Sequence, residues 1–163
     1  MIAYDPAHWQ VLFAAVAGAS AALAGLLFVA ASLNIKEILE SPGLPPLTAR
    51  TLQLLLGMLL LSIFALVPGQ SRVALGIEVA ATGLGMVVLA TLSVRKSHFP
   101  VVRWRWTVAS AGMAAISTIP MLVAGISLVV CAGGGLYWAL AELVMGFCIT
   151  IYNAWILLIE IKR

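Results

Sequence analysis

Residues 9–33 read WQVLFAAVAGASAALAGLLFVAASL, without one Asp, Glu, Lys or Arg. A transmembrane helix needs about 20 mostly apolar residues to cross a hydrocarbon core of about 30 Å, and this stretch exceeds that length. Lipid offers no partner to a backbone N–H or C=O, so an apolar run of this size can close its hydrogen bonds only as a helix. It is longer than the core of a secretory signal, and Asp5 and His8 precede it rather than Lys or Arg, so it reads as a span and not as a cleaved leader. Four further stretches repeat the pattern at 51–68, 72–94, 107–131 and 136–159, each bounded by a charge, a Pro or a Gly cluster. No alternating ten-residue pattern points to a barrel. The predicted fold is all-α, a single transmembrane domain of five helices over residues 1–163.

The whole composition agrees with that reading. The chain is 63% apolar and only 9% charged, with a mean hydropathy of +1.13, which excludes a soluble globular domain. Its net charge of +3 is too small and too scattered for the basic face that a nucleic-acid partner requires. The charges report topology instead. Lys36, Arg50, Arg95, Lys96, Arg103, Arg105, Lys162 and Arg163 fall on one side of the five spans, and Arg72 alone falls on the other. Because cytoplasmic loops carry the excess of Lys and Arg, this predicts an outside N-terminus and a cytoplasmic C-terminus in the inner (plasma) membrane. Trp9, Tyr137 and Trp138 then lie near the outer face, and Trp104 and Trp106 near the inner one. The longest piece outside the spans, 34–50, carries Ile35, Ile38 and Leu39 on one helical side, which suits an extension of the first helix or a surface helix. The run SPGLPP at 41–46 is expected to break any helix there and force a turn.

Motifs of soluble-enzyme chemistry are missing, with no phosphate-binding Gly-Lys loop, zinc-protease His pair, Cys-x-x-Cys or Gly-x-Ser-x-Gly, so the chain is expected not to be an enzyme. His8 and His98 fall on opposite sides of the membrane, which leaves no metal or cofactor site to predict. Cys131 and Cys148 lie at different depths and read as small buried thiols rather than a disulfide.

The residues that ask for a role are Glu78 and Glu142. An ionisable side chain in hydrocarbon is expensive and faces the bundle interior, a wet cavity or a partner, often along an ion or proton path. Each glutamate lies six residues along an inward-running span, about 9 Å below the outer interface at the helical rise. If they converge, the two carboxyls can share a proton or hold a small cation; otherwise each simply fixes helix packing. The fifth span extends Glu142 into a polar stripe through Gly146, Thr150, Asn153 and Glu160, the third continues Glu78 with Thr82 and Gly85, and the fourth offers Thr107, Ser110, Ala114 and Ser117. Such faces line an aqueous route or glue helices together. In the first span Ala17, Ala21 and Gly25, flanked by Gly18 and Ala22, form a small-residue surface for close helix packing, within the chain or between subunits. Pro120 interrupts the fourth span and marks a candidate hinge.

The segment AGASAALAGLLFVAASLN at 17–34, together with LVPGQ at 66–70, resembles a group of small, uncharacterised five-span integral membrane proteins of bacteria, common in actinobacteria, some of which are labelled automatically as modulators of a membrane-bound AAA protease. The resemblance covers the whole chain and implies a multi-pass membrane protein, with no catalytic or binding residue to carry over. Channel signatures such as a Thr-Val-Gly-Tyr-Gly filter or an Arg-rich voltage-sensor helix are missing. Two functions are therefore expected of this bilayer protein. One is a homo-oligomeric channel or transporter for a small ion or proton, with Glu78, Glu142, Thr82, Thr150 and Asn153 on the pathway. The other is a non-conducting regulator or assembly partner of another membrane protein, in which the basic loops touch anionic lipid.

Overall fold

A computed structural model describes residues 2–41, 43–96 and 118–161 of the chain. Of these described residues 89% are helical and none lies in a strand. Two short 3-10 turns, Ile2–Tyr4 and Pro6–Trp9, lead into α1 (Gln10–Leu33). Asp5 opens the second turn by accepting a hydrogen bond from the Ala7 N–H at 3.0 Å. The chain continues through α2 (Ile35–Glu40), α3 (Leu44–Ala65), α4 (Arg72–Lys96), the described part of α5 (Thr118–Val130) and α6 (Leu136–Ile161). Four helices are long and apolar enough to cross a bilayer, and the described part of α5 is apolar but shorter. The first half of the expected fourth span, with Thr107, Ser110, Ala114 and Ser117, lies outside the described residues, as do His98, Arg103, Trp104, Arg105, Trp106, Lys162 and Arg163.

The second span starts earlier than its sequence suggests. Pro45 and Pro46 do not end a helix; they open α3, whose first turn needs no donor from their nitrogens and is pre-set by their fixed φ. Arg50, expected in a loop, is thereby an α3 residue. At its other end α3 stops at Ala65, and the Leu66 N–H closes back on the last turn before Pro68 and Gly69 carry the chain round. At residue 34 the chain neither extends α1 nor runs free. The Asn34 amide donates to the Ala30 carbonyl at 2.8 Å, a separate short helix α2 begins one residue on, and Ile38 of α2 packs with Leu44 and Leu157.

The helices alternate in direction, and their connections gather at two ends. At one, the Gly134 N–H donates to the Tyr4 hydroxyl at 3.0 Å, and the Trp9 and Tyr137 rings meet edge to face with centroids 5.1 Å apart. The turn into α6 needs Gly135 there, since φ is +54° and an added Cβ would press on the Ala3 carbonyl and the Tyr4 ring. The other end holds α2 and the close of α6. Between the ends, α4 and α5 touch through glycine, since a Cβ on Gly125 would lie 2.7 Å from the Ala80 nitrogen and the Gly76 carbonyl.

The outside of the bundle is as apolar as its core, unlike that of a soluble protein. Ser20, Thr51, Ser62, Glu142, Thr150 and Asn153 are buried together with Phe13, Leu55, Met58, Leu61 and Leu128, while Val11, Leu26, Phe28, Ile77, Ile126 and Trp155 are exposed. A shell of large exposed apolar side chains around a partly polar interior is what a bilayer solvent selects, and the all-helical chain with its four long apolar helices is compatible with a helical membrane protein. Cys131 and Cys148, expected to be buried, are both free and exposed, because Cys148 falls on the outward side of α6 and Cys131 in the turn before it.

Candidate functional site

On α6 the inward positions repeat at three and four residues: Leu136, Ala139, Glu142, Leu143, Gly146, Thr150, Asn153 and Leu157 are all buried. The polar stripe read from the sequence therefore faces the bundle of its own chain and does not lie on an outer surface. Glu160 belongs to the same helix, but its side chain is outside the described set.

Glu142 is 2% exposed and opens on a cleft among α3, α4, α5 and α6, lined by Arg50, Gln53, Leu54, Gly57, Met86, Ala90, Thr118, Met121 and Glu142. The cleft encloses about 30 Å³, and one water needs about 10–15 Å³, so it has room for a water or two. Arg50, Gln53 and Gly57 stand at i, i+3 and i+7 on α3 and so share a face. Gln53 is anchored, its Nε2 donating to the Met86 carbonyl at 2.8 Å. The Glu142 Oε2 and the Arg50 Nε are buried without a hydrogen-bond partner. Arg50 and Gly57 are seven residues apart, about 10 Å along α3, so the cleft is long enough to hold opposite charges apart. Among the described residues the ion pair formed is that of His8 with Asp5 at the chain's start, 3.0 Å from Nδ1 to Oδ2. A separated carboxyl and guanidinium with small polar groups between them can take up, hold and release a proton or a small ion.

Glu78 has a different setting. Its Oε2 accepts from Gln70 Nε2 at 2.5 Å, tying the start of α4 to the preceding turn, and it is only half-buried. Helix registers put it at almost the height of Glu142. Gly57 faces the Met86 methyl, so eight residues back on α4 matches Ala65; Gly146 faces the Met58 sulfur, so four residues back on α6 matches Ser62. Equal depth does not put Glu78 in the cleft, whose α4 lining is Met86 and Ala90, and its carboxylate is held by Gln70 instead. Thr82 stays with Glu78, its hydroxyl donating to the Glu78 carbonyl at 2.7 Å.

The small-residue face of α1 is likewise turned away. Gly18, Ala21, Ala22 and Gly25 are exposed and Ala17 half-buried, and a Cβ on Gly18 or Gly25 would meet nothing within 4 Å. The face that packs on α3 is instead Phe13, Val16 and Ser20. Pro120 is half-buried near the start of the described part of α5, and the residues before Thr118, on which a hinge depends, lie outside the description. Among the described residues no three His, Cys, Asp or Glu side chains cluster as metal ligands.

Sequence reasoning missed Arg50 and Gln53. The signal was present in Pro45 and Pro46, which in a first helical turn carry α3 back to Leu44 and put Arg50, Gln53 and Gly57 on one face. Comparison with known proteins finds no match: no family model fits the chain, and no curated protein or solved structure is significantly similar to it.

Proposed function

We propose that this protein crosses the inner (plasma) membrane five times, with its N-terminus outside and its C-terminus in the cytoplasm, and passes a proton or small cation through the interior of its own bundle. The Lys and Arg asymmetry supports the orientation, and the apolar stretch 107–117 ahead of the described α5 supports the fifth span. One observation carries the conduction reading: a carboxyl at membrane depth, 2% exposed, with an unpartnered oxygen facing a cleft that also holds Arg50 and Gln53. Burial of that kind is expensive in a bilayer and is retained where the group does work. The inward stripe of α6 argues for one route per protomer rather than a pore at an axis between subunits. Glu142→Gln, which keeps the shape and removes the titrating group, is expected to abolish pH-dependent flux into proteoliposomes; wild-type vesicles no leakier than empty ones, across ions and pH, refute the reading.

A second reading, a non-conducting regulator or assembly partner of another membrane protein as the sequence resemblance implies, draws on the uncovered face Gly18, Ala21, Ala22 and Gly25 of α1. The same face suits a homo-oligomer. Co-purification of a stoichiometric membrane partner from mild detergent, with no flux from the purified chain, would select this reading over the first.

A further inference from the structure

Burial along the Glu142 cleft falls in one direction. Gly57, Thr118, Met121 and Glu142 are buried, whereas Arg50, Gln53 and Ala90, at the end nearer α2, are half-buried. The cleft therefore closes at Glu142 and becomes more exposed towards Arg50. On the far side of Glu142 the same four helices pack to a dry layer. Leu61 and Ala65 come from α3, Leu75 and Val79 from α4, Leu128 from α5 and Ala139 from α6; none is more than 3% exposed, and all belong to one apolar cluster. Leu128 is pressed on Gly76 of α4, where an added Cβ would lie 3.1 Å from its own. Ser62 and Ser127, buried hydroxyls on this side, donate to the Met58 and Ala132 carbonyls, so their protons are already placed.

Beyond that layer, at the Tyr4 end, lies a second pocket. It is open, measures about 170 Å³ and has room for about ten waters. Its polar lining is Asp5, Gln10 and Gln70, and neither Lys nor Arg is among the described residues around it. Ala65 of the dry layer lines it too. The two cavities share no lining residue, and on α3 the lining residues that come nearest, Gly57 and Ala65, are eight positions or about 12 Å apart. A close-packed apolar layer of that depth holds no file of water, and apolar constrictions gate by staying dry.

We propose that this layer is the gate of the conduction path, that Glu142 exchanges its proton or small cation with the solution at the α2 end alone while the layer is closed, and that the pocket beside Asp5 and Gln70 is the vestibule on the other side. The inference rests on the conduction reading above. Both compartments suit the same traveller, since the inner one ends at a buried carboxyl and Asp5 is the charged side chain in the lining of the outer one. The conformation described is then the one open at the α2 end, and passage is completed when the layer is wetted.

The test joins labelling to flux. In a Cys131→Ser, Cys148→Ser background, Ala90→Cys is treated with sulfonatoethyl methanethiosulfonate, a small anion, in right-side-out and in inverted membrane vesicles. Ser41→Cys and Gln70→Cys mark the α2 end and the Tyr4 end, so the result does not depend on which end faces the cytoplasm. Ala90→Cys is expected to react about ten-fold faster from the Ser41 side than from the Gln70 side, because a fixed charge does not cross an apolar layer. The flux read alongside, in proteoliposomes, is the part of proton or sodium influx that Glu142→Gln removes. Val79→Thr, which keeps the shape, and Leu61→Thr bring a hydroxyl into the layer from two helices and are each expected to raise that flux about ten-fold. Ile63→Thr, on the same turn of α3 but 46% exposed, is expected to leave it unchanged. A leak through a merely loosened bundle would persist with Glu142→Gln added and so is not counted. Equal reaction of Ala90→Cys from both sides, or faster reaction from the Gln70 side, overturns the one-sided access. Wild-type flux in both Val79→Thr and Leu61→Thr, while Glu142→Gln still abolishes it, overturns the gate, and the Glu142 reading stands in either case. Absence of any Glu142-dependent flux, in wild type and in both layer variants, overturns the conduction reading and this inference with it.

Discussion

Gly125 marks the tightest backbone approach between α4 and α5, where a Cβ would fall 2.7 Å from the Ala80 nitrogen and the Gly76 carbonyl and 2.8 Å from the Ala80 Cβ. None of these atoms can swing away as a side-chain end can, so the helices themselves must part. Gly125→Ala is expected to destabilise the bundle by about 1–3 kcal/mol, the usual range for overpacking, and to lower its unfolding midpoint in detergent. Gly18→Ala and Gly25→Ala, whose added methyls meet nothing within 4 Å, are expected to leave that midpoint in place. Equal sensitivity at all three positions would mean that α1 is covered by a second copy in the same detergent. The contrast shows what a small-residue pattern tells at this scale. The spacing in α1 was plain in the sequence and states where a backbone can be approached, but whether a neighbour arrives is set by the rest of the bundle, and the neighbour arrived at Gly76 and Gly125. Glu142 was legible for the opposite reason, since a carboxylate in an apolar helix needs an interior wherever that interior is.

At the scale of elements, α2 shows how a short amphipathic turn is held. Six residues are too few to form a helix alone in water. Ile38, 4% exposed, fixes this one by packing on Leu44 and Leu157, whereas Ile35 is about half exposed. Ile38→Ala is expected to cost about 2–4 kcal/mol of docking, in the range of large-to-small core changes, and to do so locally. Limited proteolysis around residues 34–43 then speeds up while the unfolding midpoint of the whole bundle moves little; Ile35→Ala changes neither. A global loss of stability in Ile38→Ala would make α2 a part of the core rather than a strap across its end. The sequence placed Ile35, Ile38 and Leu39 on one side of such a helix but left its docking open, because the partner Leu157 lies at the far end of the chain. The start of α3 was misjudged for a local reason. Proline breaks a helix it falls within and starts one it stands at the head of, and the run SPGLPP allows both until tertiary packing chooses.

For the molecule as a whole, the four long apolar helices were legible because hydrophobic length alone reports them, while the order of contacts around the bundle was not, since outward-facing and core-facing residues here are almost equally apolar. The exposed Leu26 and Phe28 and the buried Leu55 and Leu61 differ in nothing that composition records. The two ends of the bundle are distinguishable, however, and that makes orientation testable. The N-terminal turns, the 66–71 connection and the Cys131 turn belong to one end, and α2 and the close of α6 to the other. The orientation proposed from the Lys and Arg counts has the second end in the cytoplasm, since translocation reads loop charge and takes no account of how the helices later pack. A charged, membrane-impermeant maleimide is therefore expected to label Cys131 in intact cells from outside. Cys148, on the lipid side of α6 and twelve residues or about 18 Å from the start of that helix, is expected to stay unlabelled because the reagent does not enter hydrocarbon. In a Cys131→Ser background, Gln70→Cys is expected to react from outside as Cys131 did, and Ser41→Cys only after the membrane is opened. Reaction of Ser41→Cys in intact cells, with Gln70→Cys protected, would invert the molecule without disturbing its packing. The Glu142 cleft would then face its Arg50 end outward, and a proton gradient of the same sign would have to enter past Arg50 first.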